Sequence, residues 1–478
     1  MPTARGRNPP TLASVPVPVP RVGQGRRTGS LDPGRPPRQG RARSEVSVRL
    51  TRRQTLAGLG AAAVAPLVEG TGAHAATRTG WPSLPPPRSG AAGNERYWAR
   101  VAREYDVSDD VVNLENGFFG PMPRGVAKSY EQMIERVNDR NSYYLRTTFN
   151  TDFDAVVARV AETAGVSPEE IALTRGATEA LQTLIAGYNR LSPGDTVVYS
   201  DLDYDSMQYT MNWLRDRRGV NVVTFAMPEP ASRQAILDAY TRVLDANPKT
   251  RLLLLTHLSH RTGLVIPVPQ IADLARARGV DVIVDAAHSW GHLDFSVPGL
   301  RCDFAGFNLH KWMGAPLGVG FLYIKKDRLA DIDPAYADPG TGVRARVHTG
   351  TTNSANVLAV PAALDFHDSI GPANKEARLR FLRDRWVSQV RGLDRLQILT
   401  PDEPGMYGAI TSFRLRGRTS AADNTAIQTW LLKRHNIFTV RRGGVAAGDC
   451  IRVTPALFSS PAHCDRLAEA LHELVRTF

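Results

Sequence analysis

One stretch of the sequence decides the fold, namely Val280-Asp281-Val282-Ile283-Val284-Asp285-Ala286-Ala287-His288. Its first part is rich in β-branched apolar residues, which predicts a strand buried on both faces, as in a parallel sheet. The carboxyl end of this strand then delivers a carboxylate and an imidazole. Because ligands of open α/β sheets bind at the carboxyl ends of the strands, we expect Asp285 and His288 to face a site. Asp285 alone could equally be the N-cap of a following helix.

Apolar runs of the same kind alternate with amphipathic segments on both sides of this stretch. Strands are predicted at 196–199, 221–225, 251–256, 304–307 and 318–324, and helices at 178–189, 232–247 and 270–278. Such alternation is typical of crossover units in an α/β domain with a mainly parallel sheet. From about Asp365 the pattern changes to a long charged helix, 374–389, followed by strands at 396–399, 409–415 and 450–454. The change predicts a smaller C-terminal α+β domain.

The composition is that of an ordinary soluble enzyme. The chain has 478 residues, of which 42% are hydrophobic and 22% charged. Its three cysteines show no CxxC pair and no ligand spacing, so a disulfide framework or a zinc ribbon is excluded, and no metal is expected. Residues 1–75 contain 12 arginines and 3 acidic residues, a net charge of +9 out of +12 for the whole chain. The remaining residues are nearly balanced in charge, so the basic pI does not indicate nucleic-acid binding.

The N-terminal residues have the pattern of a targeting signal. Residues 1–50 are predicted to form a disordered Pro/Arg-rich leader, 51–76 a signal peptide, and 77–95 a linker. The signal begins at Thr51-Arg52-Arg53-Gln54-Thr55-Leu56, continues as an apolar run of about 12 residues and ends near Ala73-His74-Ala75-Ala76. That run is too short to cross a membrane, so no membrane anchor is expected.

The paired arginines resemble the twin-arginine (Tat) export signal, which implies the Tat machinery as a partner and a periplasmic or extracellular location. If the leader is not a functional signal, the protein is cytoplasmic. The alternatives are an Arg-rich leader with chance similarity and an arm that binds nucleic acid. The leader is longer than a Tat signal requires, so a true start near Val46 or Val48 stays open.

Two further motifs complement the stretch around Asp285. Lys311 follows a predicted buried strand in Asn308-Leu309-His310-Lys311-Trp312-Met313-Gly314, although a lysine at a strand end commonly extends to solvent. The stretch from Ile171 to Leu181 predicts a strand, a glycine turn and a helix start, which presents free N–H groups to an anion or is simply a capped helix. An anion cradle, a strand-end carboxylate and a desolvated lysine together are what a pyridoxal 5'-phosphate site requires.

With these motifs the sequence resembles the class V aminotransferase group of fold-type I pyridoxal-phosphate enzymes over roughly residues 95–478. The most specific marks are Thr174-Arg175-Gly176-Ala177-Thr178-Glu179, Asp285-Ala286-Ala287-His288, His310-Lys311 with Gly314, and Gly350-Thr351-Thr352-Asn353. The resemblance implies an α/β fold of type I: a large domain over 96–364 with a mainly parallel seven-stranded sheet, and a small domain over 365–478. The first segment of the large domain is expected to contribute to the small one.

The resemblance also implies the roles of individual residues. Lys311 would hold the cofactor through a Schiff base, Asp285 would pair with its pyridinium nitrogen, and His288 would contact its phenolic oxygen. The expected phosphate neighbours are Gly176, Ala177, Thr178, Asn308 and His310. Thr351 would reach the phosphate from a second subunit, which implies a homodimer.

On the substrate side the resemblance implies four more residues. Tyr204 would stack on the cofactor ring, or it is a plain loop tyrosine. Arg452 would grip a substrate carboxylate in bidentate fashion, or it is a solvated strand arginine. Asn116 and Gly117 would form the wall on the substrate side.

The implied activity is that of a pyridoxal-phosphate enzyme acting on the amino group of an amino acid or peptidyl substrate, as an epimerase, aminotransferase or lyase. The remaining similarity favours the isopenicillin N epimerase-like branch. The stretch Leu114-Glu115-Asn116-Gly117-Phe118-Phe119-Gly120 also resembles Tat-exported members that tailor siderophore side chains. Cysteine desulfurase is disfavoured, because the stretch from Ile437 to Val445 lacks the cysteine that this reaction needs on a mobile loop. The alternatives are an exported siderophore-tailoring enzyme, a catalytically degenerate cofactor-binding scaffold, and a nucleic-acid-binding protein that uses the basic leader.

Overall fold

A large β-sheet positions the residues of the candidate site. The structure is a computed structural model of the chain, and it describes residues 91–478. The predicted leader and signal peptide lie outside the described residues, as does most of the predicted linker. Its last residues, 91–95, form a short 3-10 helix and the start of the first α-helix. In the described part of the chain, no helix is both long enough and apolar enough to cross a membrane.

The first part of the described chain alternates helices and strands. Its elements are α1 (Glu95–Ala102), β1 (Val112–Asn113), α2 (Arg124–Thr147), α3 (Phe149–Ala164), β2 (Ile171–Thr174), α4 (Ala177–Gly187), β3 (Thr196–Ser200), α5 (Asp205–Arg218), β4 (Asn221–Phe225), α6 (Arg233–Ala246), β5 (Thr250–Thr256), α7 (Val268–Arg276), β6 (Asp281–Asp285), β7 (Phe304–Asn308) and β8 (Gly320–Ile324). The predicted strands of this region are confirmed to within about two residues at their ends.

The second part contains the long charged helix and a second sheet. Its elements are α8 (Ser354–Leu358), α9 (Val360–Ile370), α10 (Pro372–Val390), β9 (Leu396–Ile398), β10 (Thr411–Leu415), α11 (Ala421–His435), β11 (Ile437–Phe438), β12 (Val440–Arg442), β13 (Cys450–Val453) and α12 (Pro461–Thr477). The domain boundaries assigned from the sequence stay predictions.

Seven strands form the large sheet in the order β2-β8-β7-β6-β5-β3-β4. The strand β8 is antiparallel to both of its neighbours, while the other pairings are parallel. The predicted α/β class and mainly parallel seven-stranded sheet are therefore confirmed. Because β2, β3, β5, β6 and β7 run in one direction, their carboxyl ends meet at one edge of the sheet.

Side chains of each central strand alternate between two hydrophobic cores. In β5, Leu253 and Leu255 belong to one core, and Leu252 and Leu254 belong to the other. A strand covered on both faces reads as a continuous apolar run, which is why these strands were recognisable in the sequence. Residues of the flanking helices complete both cores, so the sheet that carries the site is covered on its two faces.

The second sheet is antiparallel and has the order β12-β13-β10-β9. A third core, which includes residues of β10, β13, α10, α11 and α12, packs on this sheet. The short strand β1 pairs in parallel with β11, so a segment near the N-terminus of the described chain joins the C-terminal part. Thr454 extends this junction, since its N–H donates to the carbonyl oxygen of Leu114 at 2.7 Å.

Candidate functional site

A cavity of about 530 Å³ opens at the sheet edge where the parallel strands end. Residues at or after the ends of five strands line this cavity. They are Gly176–Thr178 after β2, Tyr204 after β3, Leu258 and His260 after β5, Asp285, Ala287 and His288 at the end of β6, and Asn308, His310 and Lys311 at the end of β7. The wall is completed by residues from more distant segments, Gly117, Phe118 and Arg442. Most residues predicted for the site therefore meet in one place.

Lys311 is partly buried in this cavity, and its Nζ lies 2.9 Å from Nε2 of His288. Burial is the main reason that the pKa of Lys311 is lowered from 10.5 to about 7. The nearby charges of Arg452 and Arg442 lower this pKa further, and the charge of Asp285 opposes them. A large fraction of the Lys311 amine is therefore unprotonated near neutral pH and able to act as a nucleophile or base.

Asp285 ends β6 and is 95% buried, with 5% of its surface exposed. Its Oδ1 accepts a hydrogen bond from the backbone N–H of Ala287 at 2.9 Å. Burial raises the pKa of Asp285, while this hydrogen bond and the charge of Lys311 lower it. The carboxylate is thus oriented by the turn after β6 and faces the cavity, as a partner for a cationic ring nitrogen requires.

The orientation of His288 follows from its two neighbours. The indole Nε1–H of Trp312 donates to Nδ1 of His288 at 3.4 Å. Because an indole nitrogen can only donate, Nδ1 of His288 is an acceptor and the ring proton is on Nε2, towards Lys311. Burial holds the pKa of His288 well below its usual value, so the ring is neutral. A neutral donor beside Lys311 is compatible with an unprotonated amine.

The segment after β2 forms an anion cradle at the start of α4. Gly176 is the N-cap, with φ of +155°, and a Cβ there would lie 3.0 Å from Asn308 Oδ1 and from Cε1 of His310. Asn308 Oδ1 accepts from the N–H of Ala177 at 2.7 Å, which joins the cradle to the end of β7. His310 is held by its Nδ1, 2.9 Å from the carbonyl oxygen of Val319. The first turn of α4 keeps N–H groups available to an anion.

Tyr204 lies at the cavity, where the sequence places it, and its ring meets that of His260 edge-on at 5.2 Å. His260 was missed by the sequence reasoning. Its ring is nearly parallel to that of His288, with centroids 6.4 Å apart, and burial lowers its pKa well below the usual value. The signal that could have found it is its position, four residues beyond the end of β5 at the same sheet edge. Stacking of Tyr204 on a cofactor ring stays a prediction.

Arg452 lies behind the cavity wall and is fully buried. Its Nη1 donates to the carbonyl oxygen of His260 at 2.8 Å, and its Nε and Nη2 pair with the carboxylate of Glu115. A Cβ at Gly117 would lie 2.7 Å from Nη2 of Arg452, so a side chain at this position would force the buried guanidinium to shift. Arg452 is therefore already neutralised by a protein carboxylate, and its predicted grip on a substrate carboxylate stays a prediction.

Two other predicted residues lie outside the cavity lining. Asn116 is buried and donates from Nδ2 to the carbonyl oxygen of Thr454 at 2.8 Å. This hydrogen bond holds the segment that contributes Gly117 to the cavity wall. Thr351 is exposed on the surface of this single chain. Its predicted contact with a phosphate of a second subunit stays a prediction.

The donor set of the cavity fits pyridoxal 5'-phosphate. Lys311 supplies an amine whose pKa is lowered to about 7, Asp285 a buried carboxylate, and the start of α4 an anion cradle in which a Cβ at Gly176 would lie only 3.0 Å from Asn308 Oδ1. An aldehyde, a ring nitrogen and a phosphate are the three functional groups that these features would hold.

Comparison with known proteins agrees with this geometry. The family model of the aminotransferase class-V family matches residues 122–448. The chain is 29% identical over 406 residues to the isopenicillin N epimerase of Streptomyces clavuligerus, covering 79% of this chain and 98% of that protein. It is 28% identical over 332 residues to a probable cysteine desulfurase of Methanothermobacter thermautotrophicus, covering 66% of this chain and 80% of that protein.

The fold is shared with a solved structure of a cysteine desulfurase from Thermococcus onnurineus NA1 in its apo form. The TM-score is 0.69 at 19% identity, and the match covers 79% of this chain and 98% of that chain. At this level of identity the likeness concerns the fold alone.

Proposed function

Because the chain belongs to the class V aminotransferase family and is a pyridoxal-phosphate-dependent enzyme, we propose that it acts on the amino group of an amino acid or peptidyl substrate, as an epimerase, aminotransferase or lyase. The observation that carries this proposal is the amine of Lys311, which is held by His288 in a cavity that also exposes Asp285. Similarity to isopenicillin N epimerases over 98% of their length supports chemistry at Cα.

Pyridoxal phosphate supplies an electron-poor ring that stabilises negative charge left on the substrate Cα when a bond there breaks. The residues of the chain have separate tasks around that event. Asp285 supplies the negative charge that would neutralise a cationic ring nitrogen, and Lys311 takes up or returns a proton. His288 keeps the amine of Lys311 oriented through its Nε2–H, and the cradle at Gly176 anchors the anionic end.

Cysteine desulfuration is the less favoured reaction, although several similar proteins have that name. Cys302, Cys450 and Cys464 are all buried, and none of them lines the cavity. Burial also raises the pKa of each thiol, which disfavours the nucleophilic thiolate.

The test of the proposed function is exchange of the Cα proton. Cofactor-loaded protein is incubated in heavy water with a pool of L- and D-amino acids and amine-bearing peptides, and deuterium at Cα is measured by mass spectrometry together with the visible spectrum. We expect exchange or conversion of at least one substrate by the wild type and by Lys128→Ala, a surface control, and none by Lys311→Ala. A wild type that binds cofactor but gives neither exchange nor a spectral response to any amine would support the degenerate-scaffold alternative instead.

Two further parts of the proposal concern assembly and location. We propose a homodimer in which Thr351 of one subunit completes the site of the other, because Thr351 is exposed in the single chain. Sedimentation of the wild type measures the oligomeric state, and the cofactor affinity of Thr351→Ala tests the contact with the second subunit. A wild type that is monomeric and a Thr351→Ala variant that keeps full cofactor affinity would contradict the proposed dimer.

We also propose export through the Tat route. The test is a fusion of residues 1–76 to a reporter protein, and a reporter that stays in the cytoplasm would contradict this proposal.

A further inference from the structure

The turn that carries Lys311 is held at three successive carbonyl groups. They belong to His310, Lys311 and Trp312. The first accepts from the backbone N–H of Gly120 at 3.0 Å, and the second accepts from the backbone N–H of Gly314 at 3.1 Å. The third, that of Trp312, accepts from the side-chain amine of Lys375 on α10 at 3.0 Å. Two of these contacts are therefore made by the backbone, and the third depends on the identity of one side chain.

Lys375 is buried, with 2% of its surface exposed. Its amine also lies 2.9 Å from Nδ1 of His367, so its two partners are a carbonyl oxygen and an imidazole. The charge of Asp368 acts on Lys375 in favour of the protonated amine, but this carboxylate is paired with Arg159. Burial of an amine in such surroundings costs stability that an apolar side chain would not cost. The hydrogen bond to Trp312 is a contact that an apolar side chain could not make.

The side chain of Trp312 continues this contact to the candidate site. Its indole Nε1–H donates to Nδ1 of His288 at 3.4 Å, and Nε2 of His288 lies 2.9 Å from Nζ of Lys311. A hydrogen bond of 3.4 Å is long, so a shift of the indole by a few tenths of an ångström would break it. The position of the Trp312 backbone therefore decides whether His288 keeps its orientation.

Other contacts restrict the same turn by shape. The rings of His292 and Trp312 pack with their centroids 4.0 Å apart. A Cβ at Gly291 would lie 2.9 Å from the backbone nitrogen of Met313, so the segment after β6 lies directly against this peptide. Burial, together with the charge of Lys375, holds the pKa of His292 well below its usual value. Around Trp312, Lys375 thus supplies the directional contact between neutral packing partners.

We propose that Lys375 is a positioning residue for the reaction at Lys311. By holding the carbonyl group of Trp312, it keeps the indole on His288, and His288 then donates to the unprotonated amine of Lys311. Lys375 is not part of the cavity lining, so it acts through Trp312 and does not touch the substrate. Since Lys311 is the expected centre of the chemistry, this inference rests on the proposed function.

The first measurement concerns the amine of Lys311 in the cofactor-free protein. Competitive labelling with acetic anhydride over a range of pH, followed by peptide mapping with mass spectrometry, gives the reactivity and the pKa of this amine. A hydrogen bond donated by His288 favours the unprotonated amine, so its loss raises the pKa of Lys311. In Lys375→Met we expect the labelling rate of Lys311 at pH 7 to fall about 3-fold, as for the loss of one hydrogen bond between neutral groups.

A double-mutant cycle tests whether Lys375 acts through Trp312. Trp312→Phe keeps an aromatic ring and the carbonyl group but removes the indole N–H, so it should lower the labelling of Lys311 by a similar factor. In that background, Lys375→Met should change the labelling rate less than about 1.5-fold. The matched control is Arg380→Met, because Arg380 also lies on α10 and donates to a backbone carbonyl group, that of Tyr407 at 3.2 Å. This control should match the wild type.

Three outcomes overturn the inference. The first is unchanged labelling of Lys311 in Lys375→Met, and the second is an equal loss in the wild-type and Trp312→Phe backgrounds, which would show a general effect on packing. Lys375→Leu, which also lacks the amine, gives the same comparison if Lys375→Met does not fold by circular dichroism. Failure of both variants to fold is the third outcome, since it would assign Lys375 to the stability of the fold alone.

Exchange of the Cα proton separates the inference from the proposed function. In cofactor-loaded Lys375→Met we expect kcat for exchange to fall about 3-fold with KM within about 2-fold of the wild type, because Lys375 does not touch the substrate. An unchanged kcat would contradict the positioning role. If no amine reacts with the wild type, the proposed function fails, while labelling of Lys311 that depends on Lys375 still supports the hydrogen-bonded connection. If amines react but the labelling does not depend on Lys375, the inference fails and the proposed function stands.

Discussion

Replacement of Lys311 by methionine should change how the stability of the cofactor-free protein depends on pH. The pKa of Lys311 is lowered from 10.5 to about 7 in the folded chain. At 1.36 kcal/mol per pH unit, the unfavourable contribution of the charged amine amounts to about 5 kcal/mol. Lys311 is only partly buried, so cavity water reduces this value, and we take about half of it as the lower limit.

The sign follows from proton binding. Between pH 7 and 10.5 the unfolded chain binds a proton at Lys311 and the folded chain mostly does not, so Lys311 makes the free energy of unfolding rise with pH. The unfavourable contribution is complete below pH 7 and disappears as pH approaches 10.5. Lys311→Met removes this dependence. Lys375, whose pKa is also lowered to about 7 by burial, is present in both proteins and cancels in the comparison.

The assay is urea unfolding of cofactor-free protein at pH 7, 8 and 9. Relative to Lys311→Met, the wild type should gain roughly 0.7 to 1.4 kcal/mol in the free energy of unfolding for each pH unit. The exposed replacement Lys128→Met serves as a control and should follow the wild type. Parallel pH profiles of wild type and Lys311→Met would contradict this prediction, because Lys311 would then have an ordinary pKa in the folded protein.

Three other replacements test the site. Asp285→Asn keeps the oxygen that accepts from the Ala287 N–H but loses the charge, so cofactor should still bind while turnover falls at least ~100-fold, measured by Cα exchange. Gly176→Ala brings a methyl group to 3.0 Å from Asn308 Oδ1, so equilibrium dialysis should show weaker cofactor binding with the overall fold unchanged by circular dichroism. Glu115→Gln leaves the buried Arg452 without its counterion and should lower the free energy of unfolding by about 3 kcal/mol, measured with urea; an unchanged value would contradict the structural role of this pair.

The large sheet was predictable because its central strands are buried on both faces. Runs such as Leu252–Leu255 place consecutive apolar side chains in two cores, and this pattern is visible in the sequence alone. The pairing of β1 with β11 was not predicted. Each of these strands has two residues, and they lie more than 300 positions apart, so their pairing depends on the packing of the finished molecule and not on a local pattern.

The candidate site was predictable where residues follow strand ends. Lys311, Asp285 and His288 meet because their strands are neighbours in the sheet, and the motifs mark those ends. The pairing of Arg452 with Glu115 was not predictable from the sequence, because the two residues lie far apart along the chain and no local spacing links them. For Arg442, strand alternation indicates that it and Arg441 point in opposite directions, but only the structure shows which one faces the cavity.

We propose that Lys311 is the residue that binds the cofactor. Sodium borohydride reduction of the cofactor-loaded protein, followed by peptide mapping with mass spectrometry, measures this directly. We expect a reduced pyridoxyl phosphate group on the peptide containing Lys311, and none in Lys311→Ala. A label on another lysine of the wild type, or no label in a protein that has bound the cofactor, would contradict it.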